Sequence, residues 1–151
     1  MKVYRIAMTQ YNDTSCEGAK LYGGRWNLPG SPAIYAGSSV SSSLLERLTI
    51  DPELFSSNRY VLYSVMEIFV PNDLIVISEV QDLPIGWNSI PSVSASQKYG
   101  TDLLKSGMVC FAVPSIVDSS SLNYVINPVS EQFIRLEFKI YSLELDKRIV
   151  R

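Results

Sequence analysis

The chain has 151 residues, 46% hydrophobic and 19% charged, with thirteen Lys and Arg against fifteen Asp and Glu, a net charge of −2 and no histidine. A chain of this length is expected to form one domain, residues 1–151, hiding roughly 70% of its unfolded surface, which excludes disorder and removes any need for disulfide staples. The missing histidine excludes Ser-His-Asp and Cys-His nucleophiles and the usual histidine metal sites, and the acidic balance gives no basic footprint for nucleic acid.

Lys2 to Met8 alternates Tyr4, Ile6 and Met8 against Val3, Arg5 and Ala7, the period of a strand. Pro32 to Gly37 is a short apolar run between breakers and predicts a second strand. Val40, Leu44, Leu45 and Leu48 recur at helical spacing behind serines, predicting a helix over Ser39 to Thr49 capped by Ser38 or Ser39, with its apolar stripe facing the core. Tyr60 to Val70 and Leu74 to Ile77 are rich in β-branched and aromatic residues and read as strands. Ser94-Ala95-Ser96-Gln97 has capping-box spacing and Gly107 suits a C′ position, giving a helix over Ala95 to Ser106 whose middle is weakened by Gly100. An apolar strand runs from Val109 toward Val113-Pro114-Ser115. Near the end, Ile134, Leu136, Phe138 and Ile140 alternate with Arg135, Glu137, Lys139 and Tyr141 as in a half-solvated strand. Strands outnumber helices without regular alternation, so the expected class is α+β with a largely antiparallel sheet.

Cys16 and Cys110 are far apart and read as free thiols or small buried hydrophobes, with no metal site expected. The arginine at position 5 and the polar stretch after it suit no secretory leader, and the longest apolar run, Tyr60 to Val70, is too short to cross a bilayer. A soluble, cytoplasmic protein with no membrane association is expected.

The most unusual stretch is Tyr22-Gly23-Gly24-Arg25-Trp26-Asn27-Leu28-Pro29-Gly30. Glycines there allow close backbone approach, and Arg25 offers a two-pronged donor to phosphate or carboxylate beside a flat aromatic. The competing reading is a structural turn with Trp26 plugging the core. Glu46 stands almost opposite the apolar stripe of its helix, where a solvated side chain or a capping box from Ser43 would account for it. Ser115, at a strand end, suits a site or a turn.

Together these residues form a resemblance. Tyr4-Arg5-Ile6, Tyr22 to Asn27, Pro32 to Tyr35, Leu44-Leu45-Glu46, Leu83 to Trp87, Val113-Pro114-Ser115, Asn123 to Pro128 and Leu145 to Arg148 resemble, in order and over nearly the whole chain, the RES domain family. Arg25, Glu46 and Ser115 match the arginine, glutamate and serine that name it. The resemblance implies an ADP-ribosyltransferase-like core and the toxin of a type II toxin–antitoxin pair, partnered by an Xre-type antitoxin. It implies an enzyme that consumes NAD by hydrolysis or phosphorolysis, as NAD glycohydrolase or NAD phosphorylase. NAD is then the substrate, inorganic phosphate an alternative acceptor, and no cofactor is expected. By looser analogy with first-strand residues of ADP-ribosyltransferase folds, Arg5 joins the candidates. The expected catalytic residues are Glu46, Arg25 and Tyr35, and the expected NAD-binding residues are Arg5, Arg25, Tyr35, Ser115 and Asn123, although Asn123 also suits a turn. Ser130 stands where the family often has histidine. ADP-ribosyl transfer onto a protein and a non-catalytic nucleotide- or protein-binding module are the alternatives.

The absent histidine fits this chemistry. Nicotinamide leaves NAD as a neutral ring from a pyridinium, so no general acid is required, in contrast to ordinary glycosidases. The remaining task is stabilising an oxocarbenium-like ribose and aligning the reactants.

Overall fold

A computed structural model describes residues 1–151. Its strands are β1 (Lys2–Met8), β2 (Ile34–Gly37), β3 (Tyr63–Phe69), β4 (Ile75–Ile77), β5 (Cys110–Pro114), β6 (Leu122–Ile126) and β7 (Glu137–Ser142). The helices are α1 (Glu17–Tyr22), α2 (Val40–Leu48) and α3 (Ser94–Lys105). The strands form one sheet in the order β4-β5-β6-β2-β1-β3-β7, antiparallel throughout except for β4 beside β5, so the expected α+β class holds.

The sheet is narrowest at its middle. β1 pairs with β3 along its full length, from Lys2↔Phe69 to Met8↔Tyr63, but meets β2 at a single register position, Tyr4↔Gly37. Beyond that seam the two halves part, and Thr9 to Cys16 folds back beside β1, where buried Asn12 donates to the backbone oxygen and hydroxyl of Ser64. The core follows this division. One face carries a cluster including Val3, Ile34, Met66, Ile68, Cys110 and Ile126. On the other face, Trp26, Phe111, Val113 and Val125 pack with Leu104 of α3, while Ile6, Leu54, Tyr63 and Val65 lie against Val40, Leu44 and Leu48 of α2.

Several boundaries differ from the pattern. Tyr60 to Leu62 form a 3₁₀ turn before β3, Leu74 ends another before β4, and Pro32-Ala33 precede β2. Ile134 and Arg135 also belong to a 3₁₀ turn, with Ile134 89% exposed and Leu136 6%, so the alternation there mixes a turn and an edge strand. Ser39 caps α2, but its capping box closes on Ser42, leaving Glu46 free of that duty. At α3 the helix already includes Ser94, the N-cap is Val93, and no side chain caps it; the Ser96 hydroxyl donates to the Val93 carbonyl. Gly107, at φ 93°, follows the helix as expected of a C′ residue. Two elements went unforeseen: α1, only six residues long, and β6, whose Leu-Asn-Tyr-Val-Ile lies between a serine turn and Asn127-Pro128. Cys16 and Cys110 are both buried free thiols, and burial pushes Cys110 up to about 12.

Candidate active site

Gly37 ends β2 at the seam, and the chain turns directly into α2. A Cβ on Gly37 would lie 2.6 Å from the Ser43 hydroxyl and 3.0 Å from that of Ser42, so glycine lets the helix sit down on the strand. Ser43 also donates to the Tyr4 carbonyl at 2.8 Å, tying α2 to β1. With its leucine stripe committed to the β1–β3 half, the opposite face of α2 looks onto the β5–β6 half instead of solvent. Glu46 lies there, half-buried.

Ser115 is buried just past β5, and Asn123, the second residue of β6, pairs with Val113 on one side and Gly37 on the other. Both donate to the same oxygen of Glu46: Ser115 Oγ to Oε1 at 2.6 Å and Asn123 Nδ2 to Oε1 at 2.7 Å. The Asp118 amide donates to Ser115 Oγ at 3.1 Å, fixing its rotor. Oε2 of Glu46 has no protein donor, and Asn123 Oδ1 is buried without a partner. A carboxylate held through one oxygen presents the other at a defined place. Sequence reasoning put Asn123 at a turn or a ligand; its contact in the structure is Glu46.

Arg25 comes from the glycine-rich loop, half-buried within the electrostatic reach of Glu46. Burial lowers its guanidinium from the usual arginine range, and the charge of Glu46 and the oxygen of Tyr35 oppose that effect. Its Nη1 donates to the carbonyls of Trp87 at 2.9 Å and Ser89 at 2.7 Å, which leaves Nη2 and Nε available. Tyr35 clamps this loop: its hydroxyl accepts from the Trp26 amide at 3.1 Å and donates to Asn27 Oδ1 at 2.5 Å, and Gly24 has no Cβ to meet it. Burial raises the Tyr35 hydroxyl well above the tyrosine range, so it stays protonated.

Helix α3 holds the loop from behind, a role no sequence pattern disclosed. Gln97 donates to the Gly24 carbonyl at 3.1 Å and the Leu28 amide to Thr101 Oγ1 at 2.9 Å. A Cβ on Gly100 would stand 1.9 Å from the Trp26 carbonyl oxygen, so the glycine that weakens the helix is what admits the loop backbone. A lone glycine in a helical pattern was the available signal. Trp26 itself stacks on Trp87, centroids 6.2 Å apart, and meets Tyr99 edge-on.

Arg5 is not drawn to Glu46; its guanidinium donates to the carbonyls of Asp13 at 2.8 Å and Tyr11 at 3.3 Å. Ser130 is a cap: buried, it donates to the Gly107 carbonyl and accepts from the Gln132 amide, joining the end of α3 to the turn before β7. No group of three or more metal-ligating side chains is present, and no helix is long and apolar enough to cross a membrane.

A family model described as the RES domain matches residues 2–146. The chain belongs to the RES domain family. Among curated relatives, Toxin Res of Photorhabdus laumondii subsp. laumondii is 30% identical over 100% of this chain and 98% of its own length. Toxin Res of Yersinia enterocolitica is 33% identical over 88% of each. The Prs ADP-ribosylating toxin of a Sphingobium species is 34% identical over 78% of this chain and 73% of its own. Among solved structures, the M. tuberculosis MbcT–MbcA toxin–antitoxin complex contains a chain of the same fold, with a TM-score of 0.76, 20% identity, and coverage of 94% of this chain and 83% of that one. Arg25, Glu46 and Ser115 lie within one bonded or electrostatically coupled cluster of the matched range.

Proposed function

We propose that this RES-family chain is the toxin of a toxin–antitoxin pair and depletes NAD by cleaving the bond between nicotinamide and ribose. The observation that carries the reading is the Glu46 carboxylate, anchored through Oε1 by Ser115 and Asn123, with Oε2 unbonded and Arg25 in its field. In the proposed step the C1′–N bond breaks and its electron pair leaves with nicotinamide as a neutral ring. A water or phosphate oxygen then bonds to C1′; when water attacks, its proton is released to solvent. Glu46 at about 4 Å from the developing cation would contribute about 4 kcal/mol at an effective dielectric of 20, roughly a thousandfold in rate if realised only in the transition state. The remaining Arg25 donors suit the pyrophosphate, and Tyr35 keeps the loop that presents them in place, beside the nicotinamide end.

The test is nicotinamide release from NAD by the purified protein, with and without phosphate. Release that falls about a thousandfold in Glu46→Gln supports the reading, and no release under either condition refutes it. The likeness to a protein named as an ADP-ribosylating toxin favours one second reading, transfer of ADP-ribose to a protein. An ADP-ribose mass increment on a cellular protein, in place of free ADP-ribose or its phosphate ester, would establish it. A partner antitoxin of the Xre type, with a helix-turn-helix, completes the proposal; a small helix-turn-helix protein encoded beside this chain and co-purifying with it is the expected finding.

A further inference from the structure

Ser115 and Asn123, the two donors to Glu46 Oε1, stand on opposite legs of one hairpin, the first just past β5 and the second in β6. The legs close where the Ser115 amide donates to the Ser121 carbonyl at 3.0 Å, and the loop between them, Ile116-Val117-Asp118-Ser119-Ser120, has no glycine or proline to set its course. Every side-chain hydrogen bond of this loop involves Asp118. Its Oδ1 accepts from the Ser120 amide at 3.0 Å and the Ser120 hydroxyl at 2.6 Å, and its Oδ2 from the Ser121 hydroxyl at 2.6 Å. Its carbonyl takes the Ser121 amide at 3.0 Å. These bonds hold residue 118 to the β6 leg, while its own amide reaches the β5 leg and donates to Ser115 Oγ at 3.1 Å. Asp118 joins no ion pair, so its carboxylate is committed to the loop. A serine hydroxyl has one proton and turns it to whichever acceptor is in reach. With the Asp118 amide donating to Oγ, that proton points away from the amide, and Glu46 Oε1 at 2.6 Å receives it. Without the amide the hydroxyl is free to rotate, giving its proton to water and turning a lone pair toward the carboxylate, which exchanges attraction for repulsion at the anchored oxygen.

We propose that Asp118 is a positioning residue: by stapling the hairpin it keeps the Ser115 proton on Glu46 Oε1, and so sets where the unbonded Oε2 stands. Asp118 touches neither Glu46 nor substrate and acts through Ser115 alone. The effect on rate rests on the NAD cleavage proposed above; the hold on Glu46 does not.

The test is nicotinamide release by the full chain as wild type, Asp118→Ala, Asp118→Asn, Ser115→Ala and the Ser115→Ala/Asp118→Ala double variant, each checked for cooperative unfolding. In Asp118→Ala, kcat is expected to fall about threefold to tenfold with KM within about twofold of wild type, the loss that one neutral hydrogen bond carries. Asp118→Asn keeps an acceptor for Ser120 and recovers part of that loss. In Ser115→Ala no hydroxyl remains to be oriented, so adding Asp118→Ala changes kcat by less than about twofold. Losses that multiply in the double variant, or wild-type kcat in Asp118→Ala, overturn the proposal. If Asp118→Ala does not fold, Asp118→Asn alone and combined with Ser115→Ala decides in the same way. If wild type releases no nicotinamide, the proposed function is refuted and a denaturant-unfolding cycle of Asp118→Ala with Glu46→Gln decides instead. An unfolding equilibrium constant that departs at least about twofold from the product of the single effects, and no longer does so in the Ser115→Ala background, keeps the role of Asp118; independent effects overturn it. Release of nicotinamide with losses that multiply keeps the NAD reading and removes Asp118 from it.

Discussion

Gly100→Ala is a sharp test because two effects of opposite sign act on one methyl group. In a helix interior, alanine is favoured over glycine by about 1 kcal/mol, so propensity alone predicts a more stable protein. The structure predicts the reverse. The new Cβ would stand 1.9 Å from the Trp26 carbonyl oxygen and 2.7 Å from its carbonyl carbon, where ordinary contact begins near 3.4 Å. About 1.5 Å of relief is needed, and since the opposing atoms are backbone, no side chain can swing away, which places the cost at the upper end of the roughly 1–3 kcal/mol of overpacking. Net of propensity, a loss of about 2 kcal/mol lowers the melting temperature by about 4–8 °C for a chain of this size. The relief must come from α3 moving off the Arg25 loop, so the bonds from Gln97 and to Thr101 lengthen and nicotinamide release should fall about a hundredfold. Thermal denaturation and the release assay read both. An unchanged or raised melting temperature would refute the packing argument, and lowered stability with full activity would separate α3 from the placement of Arg25.

Ser115→Ala removes one of two donors on Glu46 Oε1; loss of a hydrogen bond to a charged group, about 1.5–3 kcal/mol, should slow turnover at least tenfold with little change in KM. Trp87→Ala removes the stack on Trp26 and loosens the segment whose carbonyls hold Arg25, so KM for NAD should rise more than kcat falls. Asp51 is held below the ordinary carboxylate range, first by the Tyr63 hydroxyl and then by Arg59. Its unfolded pKa is the higher one, so its stabilisation is complete above about pH 4 and is lost as pH falls through the lower folded value. Asp51→Asn should therefore flatten part of the acid limb of a stability–pH profile measured by denaturant unfolding.

Much of the sheet was legible because β1, β3 and β5 carry dense apolar or alternating patterns set by burial. The Ile134 region misled for a physical reason: a 3₁₀ turn feeding an exposed edge strand also alternates, and only tertiary packing sorts Leu136 inward and Ile134 outward. Glu46 shows the limit of wheel reasoning. The wheel correctly set it opposite the leucine stripe, but whether that side meets solvent or the end of another pair of strands depends on where β5 and β6 lie, which no local period encodes. The loop of Arg25 stood out by composition; its support from Gln97 and Thr101, seventy-three residues away in each case, did not.

The run Gly37-Ser38-Ser39-Val40-Ser41-Ser42-Ser43 looks, as letters, like the most replaceable tract in the chain. Its members are not equivalent: Ser39 starts the helix, Ser42 closes the cap, Ser43 binds Tyr4, and Gly37 leaves room for two of those hydroxyls. Inserting or deleting one serine here would turn α2 by about 100° and exchange the directions in which Glu46 and its neighbours project. A tract of nearly uniform letters therefore acts as the indexing mark of the site, tolerant of little change in length.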